Sequence, residues 1–66
     1  MATGTVRYFD TYKGVGFITP DVQVDDILVN YTDIMDGNKA LKEGQKVEFE
    51  IHQGPKGPQA KNVKPK

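Results

Sequence analysis

The chain has no cysteine, one histidine (His52) and no aliphatic run longer than Ile27-Leu28-Val29 in its 66 residues. Without cysteine there is no disulfide framework and no thiolate metal site. One histidine does not make a zinc cluster, so no metal and no cofactor is expected. A three-residue apolar run falls far short of a membrane span, and no membrane partner is expected. The opening stretch MATGTVRYFD lacks the cationic start and apolar block of a signal peptide, which predicts a cytoplasmic location. An excess of one charge sign is also missing: nine basic and nine acidic side chains give a formal net charge of zero. That balance counts against a nucleic-acid binder judged by bulk charge alone.

The charges that are present are unevenly placed. DVQVDD (Asp21 to Asp26) and Asp33 with Asp36 are acidic, whereas Lys56 to Lys66 carries four lysines and no acid. Seven glycines and four prolines, with β-branched and aromatic residues in short groups, indicate an all-β domain. Five strands are expected: Gly4 to Asp10, Val15 to Thr19, Asp26 to Tyr31, Lys46 to Ile51 and Gln59 to Val63. The fourth alternates most cleanly, placing Val47, Phe49 and Ile51 inward and Lys46, Glu48 and Glu50 in water. GPKGP (Gly54 to Pro58) is expected to be a loop, because proline donates no ladder hydrogen bond. TDIMDGNKALKEGQ has no strand character; Thr32 is the expected cap of one helical turn over Asp33 and Ile34, and Gly44 ends the segment.

Residues 1–66 make one domain with a thin core, and five short strands avoid exposed edges most simply by closing into a Greek-key barrel. The expected core is Val6, Phe9, Ile18, Ile27, Val29, Ile34, Leu41, Val47, Phe49, Ile51 and Val63. Val6 and Phe9 are three apart, which strict alternation forbids, so a bulge near Arg7 and Tyr8 is predicted, leaving Tyr8 outside. With Ile18 inward, Val15, Phe17 and Thr19 face out; with Ile27 and Val29 inward, Leu28 and Asn30 face out. A similar slip at the end of the third strand places Tyr31 outside.

Tyr8, Phe17 and Tyr31 then share one open face, with Val15 and Leu28 between them and Arg7, Lys13 and Lys56 at its margins. Rings on a sheet bordered by cations form a stacking platform for unpaired bases, and a duplex hides the base faces such a platform needs. The glycines of KGVGF are expected to keep the patch low for close approach of a ligand.

Several motifs in order resemble the bacterial cold-shock domain, a five-stranded antiparallel Greek-key barrel of OB-fold type that binds single-stranded RNA and DNA. GTVRYFD resembles the family's first strand, Gly-x-Val-Lys-Trp-Phe-Asn. KGVGFI resembles its first RNA-binding motif, Lys-Gly-Phe-Gly-Phe-Ile, and DILVNYTDI its second, Asp-Val-Phe-Val-His-Phe-Ser-x-Ile. LKEGQKVEFEI and GPKGPQAKNV resemble its second half. The departures fall on the family's base-stacking positions. Tyr8 stands for tryptophan, Val15 and Leu28 for phenylalanines, Asn30 for histidine, Tyr31 for phenylalanine, Asn38 for a loop aromatic and Asp10 for asparagine.

Carried over residue by residue, the resemblance implies that Tyr8, Phe17 and Tyr31 stack bases. Arg7, Asp10, Lys13, Val15, Leu28, Asn30 and Lys56 are the remaining nucleic-acid contacts. Asn30 is expected to hydrogen-bond a base edge. Three lost rings at about 1–3 kcal/mol each imply a weakened face, with additivity an upper bound. The expected function is single-stranded nucleic-acid binding of the RNA-chaperone or antitermination type, in a monomer, with a weak dimer as the alternative. The competing function is a protein-interaction or self-associating module that kept the barrel, with Val15, Phe17, Leu28 and Tyr31 as its apolar patch and DVQVDD as its docking loop. An enzyme acting on a small molecule is not expected, since no nucleophile or carboxylate pair is set beside His52. Asp25 and Asp26 are expected to bond turn amides where the third strand begins.

Overall fold

A computed structural model describes residues 1–22, 25–35, 37 and 40–66. The chain order is β1 (Ala2–Asp10), β2 (Val15–Pro20), β3 (Ile27–Asn30), a 3-10 turn (Tyr31–Asp33), β4 (Lys46–Gly54) and β5 (Gly57–Pro65). The strands close into a barrel in the order β1-β2-β3-β5-β4. The closed all-β architecture is the expected one. Its pairs are antiparallel except at the β3–β5 seam, where Leu28 and Val29 run parallel to Gln59 and Ala60.

The bulge expected near Arg7 is present: Val6 pairs with Ile18 and Tyr8 with Phe17, leaving Arg7 as the extra residue. Val6 can therefore point into the core while Tyr8 stays 44% exposed. A second shift lies between β4 and β5, where Glu48 pairs with Lys64 but Glu50 with Lys61. Asn62 takes the left-handed conformation there, with φ 53°. This brings both Ala60 and Val63, three positions apart, to the inside.

The core comprises Val6, Ile18, Ile27, Val29, Ile34, Leu41, Val47, Phe49, Ala60 and Val63, with Ala2 and Phe9 packed against it from partly buried positions. Two assignments differ from the sequence reading. Ala60 is fully buried, and Ile51 is 39% exposed. Ile51 does pair with Ala60, so it lies on the inner side of its ladder. However, β1 accompanies β4 only as far as the Ala2–Phe49 pair, and beyond it β4 has β5 alone as a neighbour. Among the described residues no further strand covers Ile51.

The Gly54 to Pro58 stretch is also more ordered than a loop. Gln53 pairs with Pro58 and Gly54 with Gly57, so the β4–β5 hairpin closes through Pro55 and Lys56 alone. Gly57 adopts φ 111°, a value that favours glycine. At the other end of β3, the strand stops at Asn30 rather than Tyr31. Asn30, not Thr32, caps the 3-10 turn, its side-chain oxygen accepting from the Thr32 amide at 3.4 Å. Tyr31 lies outside because this turn has begun, not because the strand slips. Ile34 returns to the barrel through a parallel bridge with Val63, and Met35 N donates to the Val63 carbonyl at 2.7 Å.

Candidate nucleic-acid interface

Partners in a β ladder point to the same side of the sheet. On the outer side, the pairs Tyr8–Phe17, Phe17–Leu28 and Leu28–Gln59 form one continuous row across β1, β2, β3 and β5. The pairs Asp10–Val15 and Val15–Asn30 form a second row two residues along. The Tyr8 and Phe17 rings are in contact, with centroids 5.6 Å apart and planes tilted by 45°. Phe17, Val15, Leu28 and Asn30 are half-buried, consistent with side chains lying on a sheet surface.

The glycines of KGVGF act differently from the expectation. Gly16 is buried, and a Cβ built there would lie 2.3 Å from the Tyr8 carbonyl oxygen and 2.8 Å from the Phe9 Cα. Its missing side chain makes room on the inner side for β1 and Phe9, not on the outer side for a ligand. Gly14, at φ 70°, lies beneath Tyr31, whose Cδ1 would be 2.6 Å from an added Cβ. The Tyr31 amide donates to the Gly14 carbonyl at 2.7 Å. The Tyr31 ring is thereby laid across the end of the second row while remaining 50% exposed.

Asp10 shapes this end of the face from inside the β1–β2 turn. Its Oδ1 accepts from the Tyr12 amide at 2.9 Å and the Lys13 amide at 3.2 Å, and its carbonyl accepts from Gly14 N at 2.8 Å. The carboxylate organises the turn that presents Lys13, which is exposed. The same turn carries Tyr12, fully exposed at 101%. Sequence reasoning passed over this ring, and only its place in a turn rather than a strand could have signalled it.

Arg7 is placed otherwise than at a free margin. Its Nη1 donates to Asp26 Oδ2 in an ion pair, and Thr19 Oγ1 donates to Asp26 Oδ1 at 2.8 Å. Asp26 thus serves two side chains rather than turn amides. The Arg7 hydrogen bond, reinforced by that of Thr19, holds the Asp26 carboxyl below its ordinary value of 3.8. Of the three expected marginal cations, Lys13 and Lys56 have no ion-pair partner among the described residues, and Arg7, its side chain largely exposed, is paired with Asp26.

Beside the rows and the β4–β5 hairpin lies a groove of about 550 Å³, lined by Val15, Phe17, Leu28, Asn30, Pro55, Lys56 and Gln59. Its floor is largely apolar, with one cation and two carboxamides facing it. Asn38 and Asp36 lie outside the described residues, as do the central Gln23 and Val24 of DVQVDD. His52 on β4 pairs with Gln59 on β5 and approaches Glu50 at 3.3 Å. No group of three or more metal-ligating side chains occurs among the described residues, and no helix among them is long and apolar enough to cross a membrane.

The family model of the "Cold-shock" DNA-binding domain matches residues 2–66. The chain belongs to the cold-shock domain family. Nucleic-acid binding comes with that membership. Among its relatives, a cold shock-like protein of Stigmatella aurantiaca is 55% identical over 65 residues, covering 97% of this chain and 96% of its own length. A cold shock protein of Arthrobacter globiformis is 53% identical over 64 residues, covering 96% of each. The cold shock-like protein CspD of Escherichia coli is 48% identical over 66 residues, covering 98% of this chain and 89% of its own. A solved structure of cold-shock domains of the Drosophila protein Unr superposes with a TM-score of 0.83 at 20% identity, over 98% of this chain and 26% of that longer one. At that identity the likeness speaks for the barrel alone.

Proposed function

We propose that this single cold-shock domain binds single-stranded RNA or DNA by stacking unpaired bases on Tyr8, Phe17 and Tyr31, and that it acts as a nucleic-acid chaperone. The observation that carries this reading is the outer row across four strands, in which the Tyr8 and Phe17 ring centroids lie 5.6 Å apart, Tyr8 exposed and Phe17 half-buried. Stacking is worth about 1–3 kcal/mol per base and is tolerant of sequence, because every base has a π face. Lys13 and Lys56 contact phosphates, while Asp10 acts by fixing the turn that bears Lys13. Val15 and Leu28 offer apolar contact in place of rings.

A chaperone of this kind performs no chemistry and needs no cofactor or small-molecule substrate. Binding unpaired strands better than hairpins is enough to shift the melting equilibrium by differential affinity. With Arg7 paired to Asp26 and rings absent at positions 15 and 28, the contacts are weak and exchange rapidly. The protein works as a monomer in the cytoplasm, and the cold-shock names of its relatives support a role in stress response. The protein-interaction reading is less favoured, since Asn30, Lys56 and Gln59 interrupt the apolar patch it requires.

The test is a short RNA hairpin bearing a fluorophore and a quencher at its ends. Saturating protein is expected to open it, and Phe17→Ala to leave it closed. A hairpin that stays closed when single strands of the same sequence are fully bound would refute the chaperone role.

A further inference from the structure

We infer that Asp33 and Lys61 are positioning residues for Tyr31: their ion pair holds the 3-10 turn so that the Tyr31 ring is set for a base before one arrives. The inference rests on the stacking role proposed above for Tyr31. It adds two residues that act through that ring without touching nucleic acid.

The turn that bears Tyr31 has little of its own to hold it. It spans three residues, Tyr31–Asp33, and buries none of them. Hydrogen-bond geometry in a 3-10 turn is poorer than in an α-helix, and the Asn30 cap reaches the Thr32 amide only at 3.4 Å. At its start, the Tyr31 amide donates to the Gly14 carbonyl at 2.7 Å, with the ring lying over Gly14. After its end, the main chain rejoins the barrel at the Ile34–Val63 bridge. Between those two points, the one side chain of the turn bonded to a strand, among the described residues, is that of Asp33. Its Oδ1 accepts from Lys61 Nζ on β5 at 3.1 Å.

Lys61 is directed to Asp33 by its neighbours. Its ladder partner on β4 is a second carboxylate, Glu50. Both Glu50 oxygens are engaged, Oε1 with His52 at 3.3 Å and Oε2 with Asn62 at 2.9 Å. Lys61 pairs instead with Asp33, 28 positions away in sequence. The Asp33 side chain is only 10% exposed, so salt screens this pair less than one open to water on both sides. A turn held in this way is already ordered when a base arrives, and that cost does not fall on binding. Without the pair, a base that stacks on Tyr31 must first order the turn beneath it.

The sign of one charge effect separates this role from direct contact. Asp33→Asn removes a negative charge, which by electrostatics alone strengthens binding to a polyanion. Through loss of the pair it is expected instead to weaken binding of a pyrimidine-rich single strand. The expected loss is about three- to ten-fold, the scale of ordering one residue's backbone. In a Tyr31→Ala background the same change should weaken nothing, because the ring it positions is gone. Lys61→Arg, which keeps the pair, should bind as the native chain does. Thermal melting checks that each variant is folded at the temperature of the titration. Where Asp33→Asn is not, Lys61→Met with and without Tyr31→Ala provides the same comparison. Unchanged or tighter binding by folded Asp33→Asn overturns the inference and leaves the stacking reading intact. A loss of equal size with and without the Tyr31 ring, in either pair of variants, does the same. Tyr31→Ala that binds as tightly as the native chain removes stacking at Tyr31 and this inference with it.

Discussion

Arg7 and Asp26, nineteen residues apart, form an ion pair that spans from the β1 bulge to the residue before β3. The cation adjacent in sequence to Tyr8 is thus paired within the chain at the surface. Removing the partner gives the first prediction. Asp26→Asn is expected to release Arg7 towards phosphate, raising single-strand affinity. The log–log salt dependence should steepen by about 0.7 for one added phosphate contact on a single strand. Titrations at several salt concentrations measure both. An unchanged slope would mean that Arg7 does not reach the strand even when freed.

The same pair sets a pH dependence. Arg7 and Thr19 lower the Asp26 pKa, and Asn62 followed by His52 lower that of Glu50. A depressed folded-state pKa means that the unfolded chain takes up protons first as the pH drops. The stability these carboxylates contribute is full above their ordinary values of 3.8 and 4.5. It is lost as pH falls through the lower folded-state values. Denaturant midpoints should therefore decline below about pH 4.5, and Asp26→Asn should show a shallower decline than the native chain.

Phe17→Ala and Tyr8→Ala should each weaken single-strand binding by about 1–3 kcal/mol, with less than additive loss in the double variant because the two rings touch. Neither belongs to the buried core, so melting temperatures should change little. A large drop in stability instead would show that the rings serve the barrel rather than a ligand.

Restoring rings provides the converse. Leu28→Phe and Val15→Phe place aromatic surface in the groove and should strengthen binding, by at most about 1–3 kcal/mol per position. Isothermal titration against one pyrimidine-rich strand compares them directly with the native chain.

Gly16→Ala tests the inner side of the same strand. The added methyl meets the backbone of Tyr8 and Phe9, which cannot move aside as a flexible side-chain tip would. Destabilisation of about 1–3 kcal/mol is expected from overpacking, read as a fall in the denaturant midpoint. Single-strand affinity of the folded fraction should be nearly unaffected.

Much of this arrangement was legible in the sequence because period-two alternation is strict wherever one face is buried. Val47 and Phe49 fix the register of β4, and the three-residue spacing of Val6 and Phe9 is irreconcilable with a regular strand, so the bulge at Arg7 could be read directly. Ile51 misleads because alternation reports the side of the sheet but not whether a neighbouring strand extends far enough to cover it. Ala60 is hidden for the opposite reason: a small side chain three positions from Val63 signals burial only once the bulge at Asn62 is known. The outward positions of Tyr8, Phe17 and Leu28 followed from the inward ones. What the sequence does not carry is side-chain partnership at long range. Nothing local to Arg7 announces Asp26, and nothing local to Gly16 says that its space is used by Phe9 rather than by a ligand. The Asn30 cap is likewise invisible until the strand is seen to end there, one residue before Tyr31.

The most direct test of the account is an anisotropy titration of a labelled pyrimidine-rich strand of about 6–8 nucleotides. It compares the native chain with Phe17→Ala and Leu28→Phe at low and high salt. Weak, salt-sensitive binding by the native chain is expected, with its near loss in Phe17→Ala and a gain in Leu28→Phe. Equal affinity in all three proteins would contradict it, because the row from Tyr8 through Phe17 to Leu28 would then not be the surface on which the strand lies.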